Sequence, residues 1–152
     1  MSKKITLLLD LDGVLITTPV WKPDVMHADG YADFNKNCVD NLNLFLQYAD
    51  FDIWLSSTRR VNMPLARFNR IFKRREIAKP ISGYVPIYDF CTSRLEEIEA
   101  FIPDKEVVDY LILEDDKSMH GFKNKDRLVM TEFFKGFNSE KLEEARRKID
   151  CL

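Results

Sequence analysis

The sequence predicts an α/β fold of three layers: a Rossmann-like open parallel sheet with helices on both faces. Strand-like and helix-like segments alternate along the 152 residues, an order typical of parallel strands joined by helical crossovers. The first strand-like run, Ile5 to Leu9, is almost entirely apolar, as expected of a strand buried on both faces. Because this length suits one domain, we predict a single domain over residues 1–152 without a large cap domain.

The other elements follow from apolar spacing and from turn-forming residues. Pro19, Pro23 and Gly30 predict a long loop or flap over residues 16–36, with room for a small hairpin. A helix is predicted over 37–49 with Asn37 as its N-cap. The later elements are predicted, in order, as a strand over 51–55, a helix over 65–72 with Pro64 near its first turn, a strand over 84–90, a helix over 93–101, a strand over 110–113, a strand over 127–130 and a helix over 139–149.

Charge and cysteine content exclude several classes of protein. The formal net charge of −2 gives no global attraction to nucleic acid or to an anionic membrane. The three cysteines, Cys38, Cys91 and Cys151, match neither a disulfide framework nor a CxxC zinc site. The apolar run at 5–9 is too short for a signal sequence or a membrane span. These features predict a reduced, cytoplasmic protein with no membrane partner.

Polar clusters follow three predicted strands. Asp10 and Asp12 come after the first strand, Ser56 and Ser57 after the second, and 114–116 (Glu-Asp-Asp) after a later one. Ligands of open α/β sheets bind beyond the carboxyl ends of the strands, so these segments should converge. Several carboxylates in one small site repel each other unless a cation lies among them, and hard oxygen ligands favour Mg²⁺. A bound phosphate would complete the site, and a carboxylate can attack its phosphorus.

Other interpretations of these motifs are weaker. Asp10-Leu-Asp-Gly13 alone could be a turn or the start of a calcium loop, but a calcium loop needs Glu at its twelfth position, where Trp21 stands. A P-loop enzyme is excluded because the chain has no GxxxxGK[ST] motif. The hydroxyls after the second strand could simply cap the next helix.

The run Leu7-Leu-Leu-Asp-Leu-Asp-Gly-Val-Leu15 resembles the first motif of the haloacid dehalogenase (HAD) superfamily. This resemblance implies that Asp10 is the nucleophile and a metal ligand. It also implies that Asp12 is the general acid/base and binds the metal through its backbone carbonyl. An Asp at this second place marks members that act on phosphate esters. The whole chain looks most similar to small HAD domains without a cap, including those of RNA-repair proteins.

The other HAD motifs are matched by later segments. Ser56 is similar to the second-motif hydroxyl that binds the phosphoryl group, with Ser57 beside it. Leu111-Ile-Leu-Glu-Asp115 resembles the fourth motif, which implies that Asp115 is a metal ligand and Glu114 a secondary one. The third motif normally supplies a Lys, and here Arg94 stands in the best-aligned place. An Arg can offset the charge and bind phosphate with two hydrogen bonds. Lys79 and Lys105 remain alternatives.

Residues 59–75 hold seven basic side chains and no acid. A solvated helix face is one interpretation, and a phosphate-backbone track leading to the site is the other. Arg59, Arg60 and Trp21 are possible substrate contacts, and Trp21 and Tyr31 could stack a base. The resulting hypothesis is a phosphatase acting on nucleic-acid end phosphates or nucleotides. The alternatives are a small-metabolite phosphatase and a non-catalytic HAD-like protein that binds phosphate or a partner, and the oligomeric state stays open.

Overall fold

A sheet of five parallel strands forms the centre of the computed structural model, which describes residues 3–19 and 21–152. The strands are β1 (Lys4–Leu9), β2 (Asp50–Leu55), β3 (Ile81–Tyr84), β4 (Tyr110–Glu114) and β5 (Leu128–Met130). Their order across the sheet is β3-β2-β1-β4-β5. The chain therefore builds outward from β1 to β3 and then crosses to the other side of β1. The strand order reverses between β1 and β4, which is where open α/β sheets bind ligands.

Helices cover both faces of the sheet. They are α1 (Lys36–Leu46), α2 (Leu65–Arg74), α3 (Arg94–Asp104) and α4 (Ser139–Asp150). Leu7 and Leu9 of β1 pack in one apolar cluster with α1, α2 and α4, and Leu8 packs in a second cluster with α3. Since successive strand side chains point to opposite faces, the apolar run of β1 supplies both cores. The predicted three-layer, Rossmann-like fold is confirmed.

The first helix begins earlier than predicted. Asn35, not Asn37, is its N-cap: the side-chain oxygen of Asn35 accepts the backbone N–H of Cys38 at 3.2 Å. The amide nitrogen of Asn35 also donates to the Thr17 hydroxyl at 3.2 Å. This second contact, which joins the two ends of the flap, favours position 35 and is not apparent from the sequence.

The prediction of a third strand over 84–90 was wrong, because β3 is Ile81–Tyr84. After β3, the N–H of Val85 donates a last hydrogen bond to the carbonyl of Leu55 in β2 at 2.9 Å. The next residue, Pro86, has no N–H with which to continue this pairing. Gly83 lies within this strand. In the strand, its missing side chain makes room for the Trp54 ring, since a Cβ there would lie 2.5 Å from a ring carbon.

Between β1 and α1, the described residues 16–19 and 21–35 form a flap, and the described part of the chain contains no large cap domain. The flap includes the small hairpin expected from the sequence, in which Met26 pairs with Ala32. Arg75, at the end of α2, fixes this hairpin. Its guanidinium forms an ion pair with Asp29 and donates to the Ala32 carbonyl at 2.7 Å, and both charged side chains are at most 5% exposed. Of the helices in residues 3–19 and 21–152, none combines the length and the apolar character needed to cross a bilayer.

Acid is expected to weaken this anchor. Hydrogen bonding to Arg75 holds the pKa of Asp29 well below its usual range. A carboxyl whose pKa is lowered in the folded state contributes stability above its unfolded pKa of about 4, and the contribution is lost as the pH falls toward the folded pKa. Asp29→Asn should therefore lower the free energy of unfolding by about 3 kcal/mol at neutral pH, because Arg75 is left buried without its partner.

Urea unfolding at neutral and acidic pH measures the effect. The difference between the parent and Asp29→Asn should shrink toward pH 3, whereas Asp89→Asn, which removes an exposed carboxylate with no ion pair among the described residues, should change little at either pH. A difference for Asp29→Asn that stayed constant between neutral pH and pH 3 would contradict this account.

Candidate active site

Asp10 lies at the point where the strand order reverses. Its backbone N–H donates to the carbonyl of Leu113 in β4 at 3.1 Å, and its carboxylate accepts the N–H of Leu11 at 2.8 Å. The residue is only 5% exposed. Burial, together with the neighbouring carboxylate of Glu114, raises the pKa of Asp10 well above its ordinary value. The surroundings of Asp10 thus disfavour its ionised form, as is common for carboxyl groups that take part in catalysis or bind a cation.

Asp115 reaches the same place from β4. Its carboxyl packs on Gly13: a Cβ at Gly13 would lie 2.5 Å from the carboxyl carbon, and the φ of +81° at Gly13 is itself one that glycine adopts most easily. Burial, followed by the charge of Asp10, raises the pKa of Asp115 to about 6. The fold therefore brings the two predicted metal-ligand carboxylates, 105 residues apart in sequence, close enough for the charge of Asp10 to disfavour ionisation of Asp115.

Asp10 and Asp115 offer a donor set that suits Mg²⁺. In the described residues no three His, Cys, Asp or Glu side chains are arranged to hold an ion by themselves. Magnesium usually takes one or two protein carboxylates and completes its shell with water and phosphate oxygens. Two hard carboxylates that repel each other, with the Asp12 carbonyl that the HAD resemblance adds, fit this requirement.

The carboxylate of Asp12 faces the flap, where Arg59 holds it. Arg59 donates from Nε and Nη2 to the two carboxylate oxygens at 2.8 and 2.9 Å. The same guanidinium reaches Asp24 at 3.1 Å and lies 5.7 Å from the centre of the Tyr31 ring. Asp12, Arg59 and Asp24 line a cavity of about 390 Å³ together with Thr18, Pro19 and Lys22. Arg59, predicted as a substrate contact, therefore lies at the mouth of the site and orients Asp12.

Glu114 is fully buried beside Asp10 and has partners of its own. Nη1 of Arg94 lies 3.0 and 2.8 Å from its two oxygens, and the Ser56 hydroxyl donates to it at 2.9 Å. These contacts make Glu114 a residue that positions Arg94 and Ser56. Its predicted place as a secondary metal ligand stays a prediction, as does phosphate binding by Ser56.

Of the three basic residues considered for the third motif, Arg94 is the one beside Asp10, the predicted nucleophile. Its Nη1 lies 3.5 Å from Oδ1 of Asp10. Lys79 binds Asp50 and the carbonyl of Phe51 at the opposite end of β2. Lys105 follows α3, about 16 Å along the helix axis from Arg94. The geometry therefore favours Arg94 as the cation of this motif.

The side chains of Ser57 and Arg60 are buried and make their contacts within the fold. The Ser57 hydroxyl, fully buried, accepts the backbone N–H of Arg59 at 3.2 Å and caps a short helical turn. This is the capping alternative, and it leaves phosphate binding by Ser57 without support from its contacts. The contacts of Arg60 likewise give no support to the prediction that it contacts substrate. Its guanidinium is buried and bonded to three backbone carbonyls and to Glu97.

Two exposed aromatic rings lie together, one from the flap and one from the loop after β5. Trp21 is 72% exposed and meets the edge of Phe134, itself 64% exposed, at 6.0 Å between ring centres. Phe134 belongs to the loop after β5, which is tied to the loop after β1 because the Thr131 hydroxyl donates to the carbonyl of Gly13 at 2.6 Å. Sequence reasoning missed Asp24, Phe134 and Thr131. Only Thr131 left a signal, since it directly follows a strand at the same edge of the sheet.

A parallel sheet of this order, with an aspartate pair after its first strand and an acid after β4, defines a HAD-type domain. The family described as the HAD domain in Swiss Army Knife RNA repair proteins matches residues 6–142, and the chain belongs to this family. The predicted resemblance to small HAD domains of RNA-repair proteins is thus confirmed. No curated protein matches the chain.

Proposed function

We propose that the protein is a magnesium-dependent phosphomonoesterase that works through an aspartyl-phosphate on Asp10. One observation carries the proposal: at the switch point of the sheet, the buried carboxyl of Asp10 lies 3.5 Å from Arg94, and its charge helps to raise the pKa of Asp115. A carboxylate with a cation on one side and a metal-compatible carboxylate on the other is suited to approach a phosphate dianion. Membership in the HAD family supports the same class of reaction.

The reaction has two steps: Asp12 donates a proton in the first and regains one in the second. A carboxylate oxygen of Asp10 bonds to phosphorus while the ester P–O bond breaks, and protonated Asp12 gives its proton to the leaving oxygen. Water then attacks phosphorus and returns a proton to Asp12, and the bond between Asp10 and phosphorus breaks to release phosphate. Bound Mg²⁺ would offset the charge of the phosphoryl oxygens and of the carboxylates.

Three residues of the chain prepare this geometry. Arg94 offsets negative charge beside Asp10, and the buried carboxylate of Glu114 fixes the orientation of its guanidinium. Before Asp12 takes up its proton, Arg59 holds the Asp12 carboxylate from the flap side through two hydrogen bonds. Such paired contacts fix direction as well as distance.

For the substrate we propose a nucleic-acid end phosphate or a nucleotide. The flap leaves room for a phosphate carried on a macromolecule, which a closed cap would exclude. The exposed Trp21 and Phe134 rings near the flap offer a surface on which a base could stack. The family description, which names RNA repair proteins, favours the same substrate class.

A phosphatase panel with and without Mg²⁺ tests the proposal. We expect phosphate release that a chelator abolishes, with a 3′-phosphorylated oligonucleotide hydrolysed faster than an aryl phosphate. Asp115→Asn should raise the Mg²⁺ concentration needed for half-maximal rate at least ~10-fold, since it removes a proposed ligand. Asp116→Asn is the matched control, because Asp116 caps the turn after β4 through an oxygen that Asn retains.

Three results would contradict parts of this proposal. Absence of phosphate release from every ester at any Mg²⁺ concentration would favour a non-catalytic binding protein. Activity that survives chelation would remove the metal from the account. Preference for sugar phosphates over oligonucleotides would make the protein a small-metabolite phosphatase.

A further inference from the structure

The outer face of α2 carries four basic side chains that have no acidic partner among the described residues. Arg67, Arg70, Lys73 and Arg74 are exposed, and no ion pair or side-chain hydrogen bond joins them to residues 3–19 or 21–152. α2 itself contains no Asp or Glu, whereas α1, α3 and α4 each contain at least one. In a protein of net charge −2, this is a local concentration of positive charge.

The rest of the same basic run is used inside the protein. Arg59 binds Asp12 and Asp24, Arg60 binds Glu97, and Arg75 binds Asp29. The fold thus separates the run into three arginines that hold the structure and the site together and four cations that face solvent. The exposed four are not needed to neutralise any described acid, so an external anion is the partner that their charge fits.

The three exposed arginines of α2 form a row that leads toward the candidate active site. Arg67, Arg70 and Arg74 lie on one side of α2, at spacings of three and four residues, and line a cavity of about 110 Å³ with Tyr31 and Asp29. The row is about 10 Å long. The charge of Asp29 is neutralised by Arg75. The Tyr31 hydroxyl lies 3.5 Å from Nη1 of Arg59, which holds Asp12.

We propose that this row binds the sugar-phosphate backbone of a single-stranded nucleic acid. Three arginines along ~10 Å can each face a phosphate of such a strand, because its backbone carries one negative charge per nucleotide. Arginine suits phosphate because its guanidinium donates two parallel hydrogen bonds. That the strand delivers its end to Asp10 rests on the proposed function, whereas backbone binding does not.

The opposite face of α2 argues against a membrane as the partner. Phe68, Ile71 and Phe72 of this helix are buried in the core. A helix that binds a bilayer inserts its apolar face between lipids, and here that face is already packed. The row can therefore offer charge and hydrogen bonds to a ligand but no apolar surface of its own.

Fluorescence anisotropy with an unphosphorylated, single-stranded RNA of about 12 nucleotides tests the proposal, because such a probe spans the row but offers no phosphate ester end to the site. The variant carries Arg67→Gln, Arg70→Gln and Arg74→Gln. The matched control carries Lys105→Gln, Lys123→Gln and Arg147→Gln, three exposed cations that also lack partners among the described residues. Glutamine keeps the helix propensity, so urea unfolding should show both triple variants folded.

We expect at least tenfold weaker binding at low salt for the α2 variant. Its slope of log K against log salt should be shallower by about 2, at ~0.7 for each lost phosphate contact. The control should bind within twofold of the parent. Equal affinities and slopes for both triple variants would overturn the proposal, as would stronger binding to phosphatidylserine vesicles or to a poly-glutamate peptide than to the RNA.

Hydrolysis of an aryl phosphate separates this proposal from the proposed function. The α2 variant should hydrolyse it at the parental rate, since the substrate is too small to reach the row. Normal hydrolysis with unchanged RNA binding would reject the α2 surface and leave the phosphatase intact. Loss of RNA binding in the variant, from a parent that hydrolyses no ester, would support the surface and reject the phosphatase.

Discussion

Replacing Asp10 with asparagine is expected to abolish turnover, with a rate at least ~10⁴-fold below the parent, because an amide cannot attack phosphorus. The fold should survive. Asn has the same shape, and the raised pKa of Asp10 shows that its charge is unfavourable where it lies. The free energy of unfolding should therefore be no lower than that of the parent. Initial rates with Mg²⁺ and urea unfolding of the same sample measure both effects.

Asp12→Asn is the companion to this experiment. Loss of a general acid costs roughly 10²–10⁴-fold, and less when the leaving group needs no proton. The defect should therefore be larger on an alkyl phosphate than on an aryl phosphate, whereas Asp10→Asn should be inactive on both. Parental activity in Asp10→Asn would contradict the proposed mechanism.

Removing Arg94 is expected to cause the largest loss of stability. Arg94→Met would leave the fully buried Glu114 carboxylate without its cation, and breaking a buried pair in this way costs about 3–5 kcal/mol. Adding Glu114→Gln should restore most of the free energy of unfolding, because the amide oxygen can still accept the Ser56 hydroxyl. Urea unfolding of the two variants measures this recovery, and equal losses in both would contradict the ion-pair account.

The stable double variant also tests the electrostatic role of Arg94. With the fold restored, phosphate turnover should remain strongly reduced, because no cation then lies beside Asp10. Arg94→Lys should retain part of the activity, since it keeps the positive charge but loses the paired hydrogen bonds. Full activity of the double variant would assign Arg94 a purely structural role.

The sheet and the position of Asp10 at the end of β1 were predictable because their signals are local. The apolar run of β1 and the residues that follow it determine where Asp10 lies. Gly13 is part of the same motif, and a side chain at this position would collide with the Asp115 carboxyl. β3 was predicted too late in the chain, and Gly83, a residue type that weakens strands, lies inside it. Only the tertiary contact with Trp54 explains a glycine there.

The roles of the basic residues could not be predicted in the same way. Arg59, Arg60 and Arg67 are alike in sequence, yet they lie beside Asp12, inside the fold and in solvent, respectively. Arg59 finds its partners after β1 and in the flap, and Arg60 finds some of its partners after β3 and in α3. Arg67 has no side-chain partner among the described residues. The difference therefore depends on packing across distant parts of the chain. The contacts of Glu114 with Arg94 and Ser56 are equally non-local.

Trapping the phosphoryl group on the enzyme tests the central claim most directly. The reaction with Mg²⁺ and substrate is quenched in acid during turnover, and borohydride then reduces any aspartyl-phosphate to homoserine, which peptide mass spectrometry locates. We predict homoserine at position 10, dependent on substrate and absent from Asp10→Asn. Homoserine at a different aspartate, such as position 12 or 115, would contradict the assignment of Asp10 as the nucleophile.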